Sequence, residues 1–132
     1  MKTGSLKQQT IIPAKPLDVY NALMDSRKHS RITSSICKIG KKEGSPYSAY
    51  DGYIRGRNVK LVPGKKIVQT WQAVDGVWPD DHFSEITFEF KPSPKGTLLK
   101  FSHKGIPFAQ VAEFKKGWPE NYWEPLKIYF SG

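Results

Sequence analysis

The sequence predicts an α+β domain: a curved antiparallel sheet of about six or seven strands wrapped around a long C-terminal helix. One or two short helices should follow the first strand. Three observations carry this expectation. Short runs of alternating apolar and polar residues fill the middle of the chain, with 10 Pro and 11 Gly as punctuation between them. Near the N-terminus one segment switches to helical spacing. At the C-terminus Phe114, Trp118, Tyr122, Leu126 and Tyr129 recur every three or four residues as one apolar stripe. The 132 residues are expected to form one domain, 1–132, because halving them would leave neither part a core of its own.

Taken in order, Leu6 to Ile12 reads as the first strand, ended by Pro13. Pro16 to Met24 reads as a helix: Val19, Tyr20, Leu23 and Met24 share a face, and Pro16 suits a first-turn position whose N–H is not needed. Asp25-Ser26 offers a cap for a short basic helix or turn from Arg27 to Arg31. Strands are then expected at Ile36 to Lys41, Tyr47 to Tyr50, Tyr53 to Val62 and Ile67 to Ala73, with Asp51-Gly52 as a hairpin turn. Phe83 to Phe90 is the clearest strand, since Ile86, Phe88 and Phe90 alternate with Glu85, Thr87 and Glu89. After the turn at 92–96, Thr97 to Lys104 presents Leu99, Phe101 and His103 on one face. Pro119 and Pro125 interrupt the aromatic tail, so a kink or restart near Trp118 and an early fray at the end are expected.

Charge divides the chain unequally. Against a net +9, residues 1–66 hold 14 basic and 4 acidic side chains, and residues 67–132 hold 7 and 8. A basic face results, fitting an anionic partner or simply water. Lys28, Arg31, Lys38, Lys41, Lys42, Arg55, Arg57, Lys60, Lys65 and Lys66 are its candidates. Nucleic acid is disfavoured, because the aromatics alternate as core positions instead of forming a stacking platform. One cysteine, Cys37, rules out an internal disulfide framework and fits a reducing, cytoplasmic setting. No basic-then-apolar leader and no apolar run of about 18 residues is present, so neither secretion nor a membrane span is expected.

Several segments carry a resemblance. Gly56, then Leu61-Val62-Pro63-Gly64-Lys65-Lys66-Ile67-Val68-Gln69-Thr70-Trp71, resembles a run of the START-like, helix-grip superfamily. Trp78-Pro79-Asp80-Asp81-His82-Phe83, His103-Lys104-Gly105-Ile106-Pro107 and Gly117-Trp118 with Tyr122-Trp123-Glu124-Pro125-Leu126-Lys127 narrow it. They resemble the family called activator of ninety-kilodalton heat-shock-protein ATPase homologue, and specifically its C-terminal domain. The resemblance implies a helix-grip fold and a non-enzymatic partner of a heat-shock chaperone, or of another acidic protein surface. It further implies that a domain of this type lacks the N-terminal part to which chaperone stimulation is assigned. The superfamily also contains small-molecule carriers, so fold does not deliver function.

In such a fold the inward residues are the candidates for a ligand cavity: Trp71, His82, Ile86, Phe88, Phe90, Leu99, Phe101, His103, Trp118, Tyr122 and Leu126. Collapsed core is the competing reading for each, because an open cavity forfeits burial worth ~25 cal/mol per Å². His82 and His103 share inward parity at one sheet end. They are candidates for a ligand contact or an acid–base pair, with a hydrogen-bonded structural role as the competing reading. No metal site is expected, since two histidines lack the further ligands a metal needs. His29, in a basic turn, is expected to be solvated. Arg55 and Arg57 share parity with Val59 and Leu61, which look inward; an inward pair would call for an acidic ligand. The cost of burying charge favours the outward alternative, with a bulge at Gly56. Cys37 reads as a partly buried strand residue without a base, and Asp80-Asp81 as a surface turn. No cofactor is expected; the small molecule, if one binds, is hydrophobic and acidic only if an arginine faces it.

Overall fold

The chain leaves one edge of a sheet, crosses its concave face as two helices, and returns strand by strand to the edge where it began. The computed structural model describes residues 1–131. Strand β1 (Thr3–Ile12) is followed by helices α1 (Pro16–Met24) and α2 (Ser26–Thr33). Six strands succeed them: β2 (Lys38–Ile39), β3 (Pro46–Ala49), β4 (Ile54–Val62), β5 (Lys66–Ala73), β6 (Ser84–Ser93) and β7 (Gly96–Pro107). A 3₁₀ turn (Phe108–Gln110) leads into α3 (Val111–Trp118), a π-helical turn (Pro119–Trp123) and α4 (Glu124–Ser131). The sheet has seven antiparallel strands in the order β1-β7-β6-β5-β4-β3-β2, so the first strand closes against the last. This is the START-like helix-grip architecture.

Local chemistry sets the boundaries. Pro16 stands in the first turn of α1, and Val19, Tyr20, Ala22, Leu23 and Met24 are its buried side. Asp25 caps α2, its Oδ2 accepting from the Lys28 amide at 2.8 Å. Tyr50, Asp51 and Gly52 all take positive φ in the turn between β3 and β4. Strand β2 shrinks to two residues, and Cys37 is buried in the loop before it rather than in a strand.

The tail restarts as expected, α3 ending at Trp118 and α4 beginning at Glu124, but α4 runs on to Ser131 instead of fraying early. Pro119 opens a wider i→i+5 turn, and the Lys115 carbonyl, for which Pro119 has no N–H, accepts from Gln8 Nε2 at 2.8 Å. That turn lets two sequence neighbours, Tyr122 and Trp123, both be buried. The apolar stripe named only the first.

Strand β4 explains the arginines. Its inward residues up to the middle are Ile54, Gly56 and Asn58, so Arg55, Arg57 and Val59 face out. The outward alternative is correct, but the bulge lies between Asn58 and Lys60, not at Gly56. It reverses the parity, leaving Val59 48% exposed while Leu61 packs against the core. Gly56 has a different duty. Tyr47 pairs with it across the strands and passes its ring over the glycine, so that its hydroxyl donates to the Thr70 carbonyl on β5 at 2.6 Å. Thr70 Oγ1 in turn accepts from the Arg57 amide at 2.9 Å. Side chains here replace ladder bonds between β4 and β5.

A Cβ at Gly56 would run into the Thr70 carbonyl and crowd the Tyr47 ring. Gly56→Ala is therefore expected to cost about 3 kcal/mol or more, read as a lower urea midpoint. Val59→Lys, on the exposed bulge, should stay within about 0.5 kcal/mol of the parent. An unchanged midpoint for the first variant would contradict the described spacing of β4 and β5.

Candidate functional site

The space between sheet and helix is filled. Ile86 and Phe88, with Leu23, His29, Ile67, Trp118 and others, surround an internal void of only about 20 Å³. Phe90, Leu99, Phe101 and Leu126 are packed core. The open space lies at one end, where a cleft of about 420 Å³ separates the turn after β3 from α3 and the π turn. Tyr50, Tyr53, Ile54, Trp71, Glu113, Phe114, Gly117, Trp118, Asn121 and Tyr122 line it. Of the cavity candidates read from the sequence, Trp71, Trp118 and Tyr122 thus reach open space. A second cleft of about 440 Å³, with Arg31 and Glu120 in its lining, lies beyond a bar formed by the Tyr50 hydroxyl donating to the Asn121 carbonyl at 3.0 Å. Burial, with Cys37 second, pushes the Tyr50 phenol up to about 12.

His103 is fully buried at the centre of the aromatic core, its ring stacked on Phe114. Trp118 Nε1 donates to its Nδ1 at 3.1 Å, so the proton must sit on Nε2, which faces Ser84 Oγ at 2.7 Å. Ser84 passes its own proton to the Trp71 carbonyl at 2.9 Å. The direction of this relay matters. An imidazole that donates to a serine oxygen cannot take that serine's proton, so the pair lacks the polarity of a nucleophile and its base. Burial drives the His103 imidazolium down to about 3.

His82 sits apart, in the loop before β6 and not on a strand. Its Nε2 bonds the Gly105 carbonyl at 2.7 Å, and its ring lies against Trp78. No hydrogen bond joins the two histidines. His29 is not solvated: it is 7% exposed, with Nδ1 donating to the Leu23 carbonyl at 2.9 Å and Nε2 accepting from the Tyr122 hydroxyl at 2.8 Å. Its position on the inner face of α2, beside Ile32, overrides the charged sequence around it. Burial lowers its basicity, partly offset by the Leu23 carbonyl, and burial raises the Tyr122 phenol well above its usual range.

The basic candidates divide among four places. Lys38, Arg55, Arg57, Lys60 and Lys66 stand on the convex face of the sheet, where the register brings in Lys7, Lys100 and Lys104, which the first-half charge count did not single out. Glu85 and Glu89 are the carboxylates among them. Lys41 and Lys42 lie in the adjoining turn, held by Asn58 Nδ2 bonds to the Gly40 and Lys42 carbonyls. Lys28 and Arg31 belong to α2 on the other side, and Lys65 to the turn after β4. Arg55 Nε donates to Gln72 Oε1 at 2.6 Å and Arg57 to the Gly44 carbonyl at 3.0 Å. Among the described residues the ion pair within 4 Å is Lys127 with Glu124, away from this face. The cleft residues Tyr50, Tyr53, Glu113, Gly117 and Asn121 were not read from the sequence. Paired tyrosines flanking a positive-φ turn are the one signal that points to them.

A seven-stranded antiparallel sheet curved around a C-terminal helix, filled inside and open at one end, defines a START-like helix-grip domain. The family model described as Activator of Hsp90 ATPase homolog 1-like protein matches residues 13–131, and the chain belongs to that family. It is 32% identical over 130 residues to an activator of 90 kDa heat shock protein ATPase homolog from Dictyostelium discoideum, covering 98% of this chain and 33% of that protein. The chain thus spans about a third of that relative's length. Among solved structures it is similar to an HSP90 activator from Plasmodium falciparum, with a TM-score of 0.82 at 25% identity, over 96% of this chain and 94% of that one. A protein from Chromobacterium violaceum shares the fold at a TM-score of 0.80 and 22% identity, with 97% of each chain covered. No helix among the described residues is long and apolar enough to cross a membrane.

The buried imidazole gives a pH signature. Its folded basicity lies below the 6.5 of the free group, so the unfolded chain takes up a proton first and stability falls as pH drops from 6.5 towards about 3. Each pH unit in that window should cost about 1.4 kcal/mol through this residue. Urea unfolding at about pH 7 and about pH 5 is expected to show the parent losing about 2 kcal/mol more than a His103→Gln variant. Equal losses would contradict the buried neutral ring.

Proposed function

We propose that this chain is a non-enzymatic, cytoplasmic docking domain that binds an Hsp90-type chaperone through the convex face of its sheet. The observation that carries this is the field of cations on that face. Lys38, Lys60 and Lys104, from three strands well apart in sequence, share it without an ion-pair partner within 4 Å. Such a surface steers and orients an acidic partner surface, and its contribution is long-ranged at low salt. Family membership and the names of the relatives, which are activators of the 90 kDa chaperone ATPase, support the choice of partner. The proton direction through Ser84 and His103 supports the absence of catalysis.

A second reading, small-molecule binding, is favoured by the open cleft at the end of the grip and not by the filled interior. The acidic ligand entertained for it loses its basis, because Arg55 and Arg57 both face out.

Docking is tested by titrating the chain against an Hsp90-type chaperone at about 0.05 M and about 0.3 M salt. Affinity should fall steeply with salt. A Lys38→Glu, Lys60→Glu, Lys104→Glu variant should bind at least about tenfold more weakly while its stability moves little, since all three side chains are exposed. Salt-independent binding, or a variant that binds as the parent does, would sink the assignment of this face.

A further inference from the structure

We infer that the 420 Å³ cleft is a site for a hydrophobic organic cation: an ammonium group, quaternary or protonated, on an apolar body. The inference rests on the small-molecule reading of the cleft and names the ligand class. Its volume falls within the range of about 300–1,000 Å³ typical of small-molecule pockets.

The lining is the first argument. In a chain of net charge +9, no Lys or Arg lines this cleft, and its charged side chain is a carboxylate, Glu113. Tyr50, Tyr53, Trp71, Phe114, Trp118 and Tyr122 make up most of the wall. Aromatic faces carry negative quadrupole charge and attract a cation, most strongly when water is excluded. The Tyr50 and Tyr122 hydroxyls are already committed, to the Asn121 carbonyl and to His29. What the walls offer a ligand is therefore mainly ring surface. Beside the cleft, burial first and then the charges of Asp75 and Glu113 raise the Tyr53 phenol.

Gly117 is the second, independent argument. A glycine in the last turns of α3 weakens the helix relative to alanine. No positive φ requires it, and an added Cβ would meet only Asn121 Nδ2, at 3.6 Å. Neither the backbone nor the packing of the folded chain explains the missing side chain. It lines the cleft, and what it provides is room there.

The experiment compares three probes built on one phenethyl body: phenethyltrimethylammonium, its uncharged tert-butyl carbon isostere and the anion 4-phenylbutyrate. Binding is followed by Trp fluorescence and by amide shifts at Tyr53, Gly117 and Asn121. The ammonium should bind at least about tenfold more tightly than the isostere, and the carboxylate not at all. Glu113→Gln, at an exposed position, should weaken the ammonium about threefold to fivefold. Gly117→Ala should raise Tm by a few degrees yet weaken binding, and Gly117→Leu should abolish it. If the isostere binds as tightly as the ammonium, the cation class is overturned while the small-molecule reading stands. If no probe binds, or binding survives Gly117→Leu, both fall.

Discussion

One neutral imidazole fixes where the C-terminal helix lies. The grip of this fold is apolar almost everywhere, and apolar contact alone would let a helix slide or rotate on a sheet at little cost. His103 removes that freedom. Its Nδ1 accepts a hydrogen bond from the indole of the helix and its Nε2 donates one to Ser84 on the sheet, whose own hydroxyl donates to the Trp71 carbonyl. A rotation of the helix would leave buried donors and acceptors unpaired, and such groups are expensive in an interior. Every buried polar side-chain atom among the described residues has a partner. The relay also orders the aromatic cluster around it, since Trp71, Phe114 and Trp118 each meet the imidazole ring.

From that fixed helix follows the placement of everything exposed. The interior is shut, so the open space is displaced to the end where α3 and the π turn approach the β3–β4 turn. The sheet's other face is left bare and collects cations from both halves of the chain. The molecule is thereby polar in its electrostatics: a positive convex wall, and at the end of the grip an aromatic cleft whose charged lining residue is Glu113. A single net charge of +9 averages over these two surfaces and describes neither.

Most of the architecture was legible because its signals are local. The alternation in Ile86, Phe88 and Phe90, and the helical spacing from Val19 to Met24, each name their buried face without help from the rest of the chain. Strand β4 was not legible in the same way. Its inward positions after Ile54 are Gly56 and Asn58, neither of which looks like core, and the bulge breaks the shared parity of Val59 and Leu61 by bringing only Leu61 inward. The parity of the arginines therefore depended on a partner strand, not on the strand itself. His29 was misread for the opposite reason: its neighbours are charged, but its own face of α2 is decided by Tyr122, 93 residues away. The cleft was the least legible part. A cleft is defined by what is absent, and the sequence of Gly117 does not say what its missing side chain leaves open.

The π turn between Trp118 and Glu124 also bears on how this chain is lined up with its relatives. Residues up to 118 and residues from 124 onward belong to two different helical frames, offset by the one residue that the wider turn takes in. Tyr122, which reaches His29, and Trp123, whose Nε1 donates to Gln8 on β1 at 2.8 Å, sit on the seam and point to different parts of the fold. Set against a regular helix, the chain needs a one-residue gap inside 119–123. A gap placed before Trp118 would pair Trp118 itself with the wrong position, and one placed after Glu124 would leave Glu124 out of register with the helix it begins. Counting residues back from the C-terminus and forward from the sheet therefore gives two different answers for the same aromatic, and only the answer that respects the seam names the residue that faces the cleft.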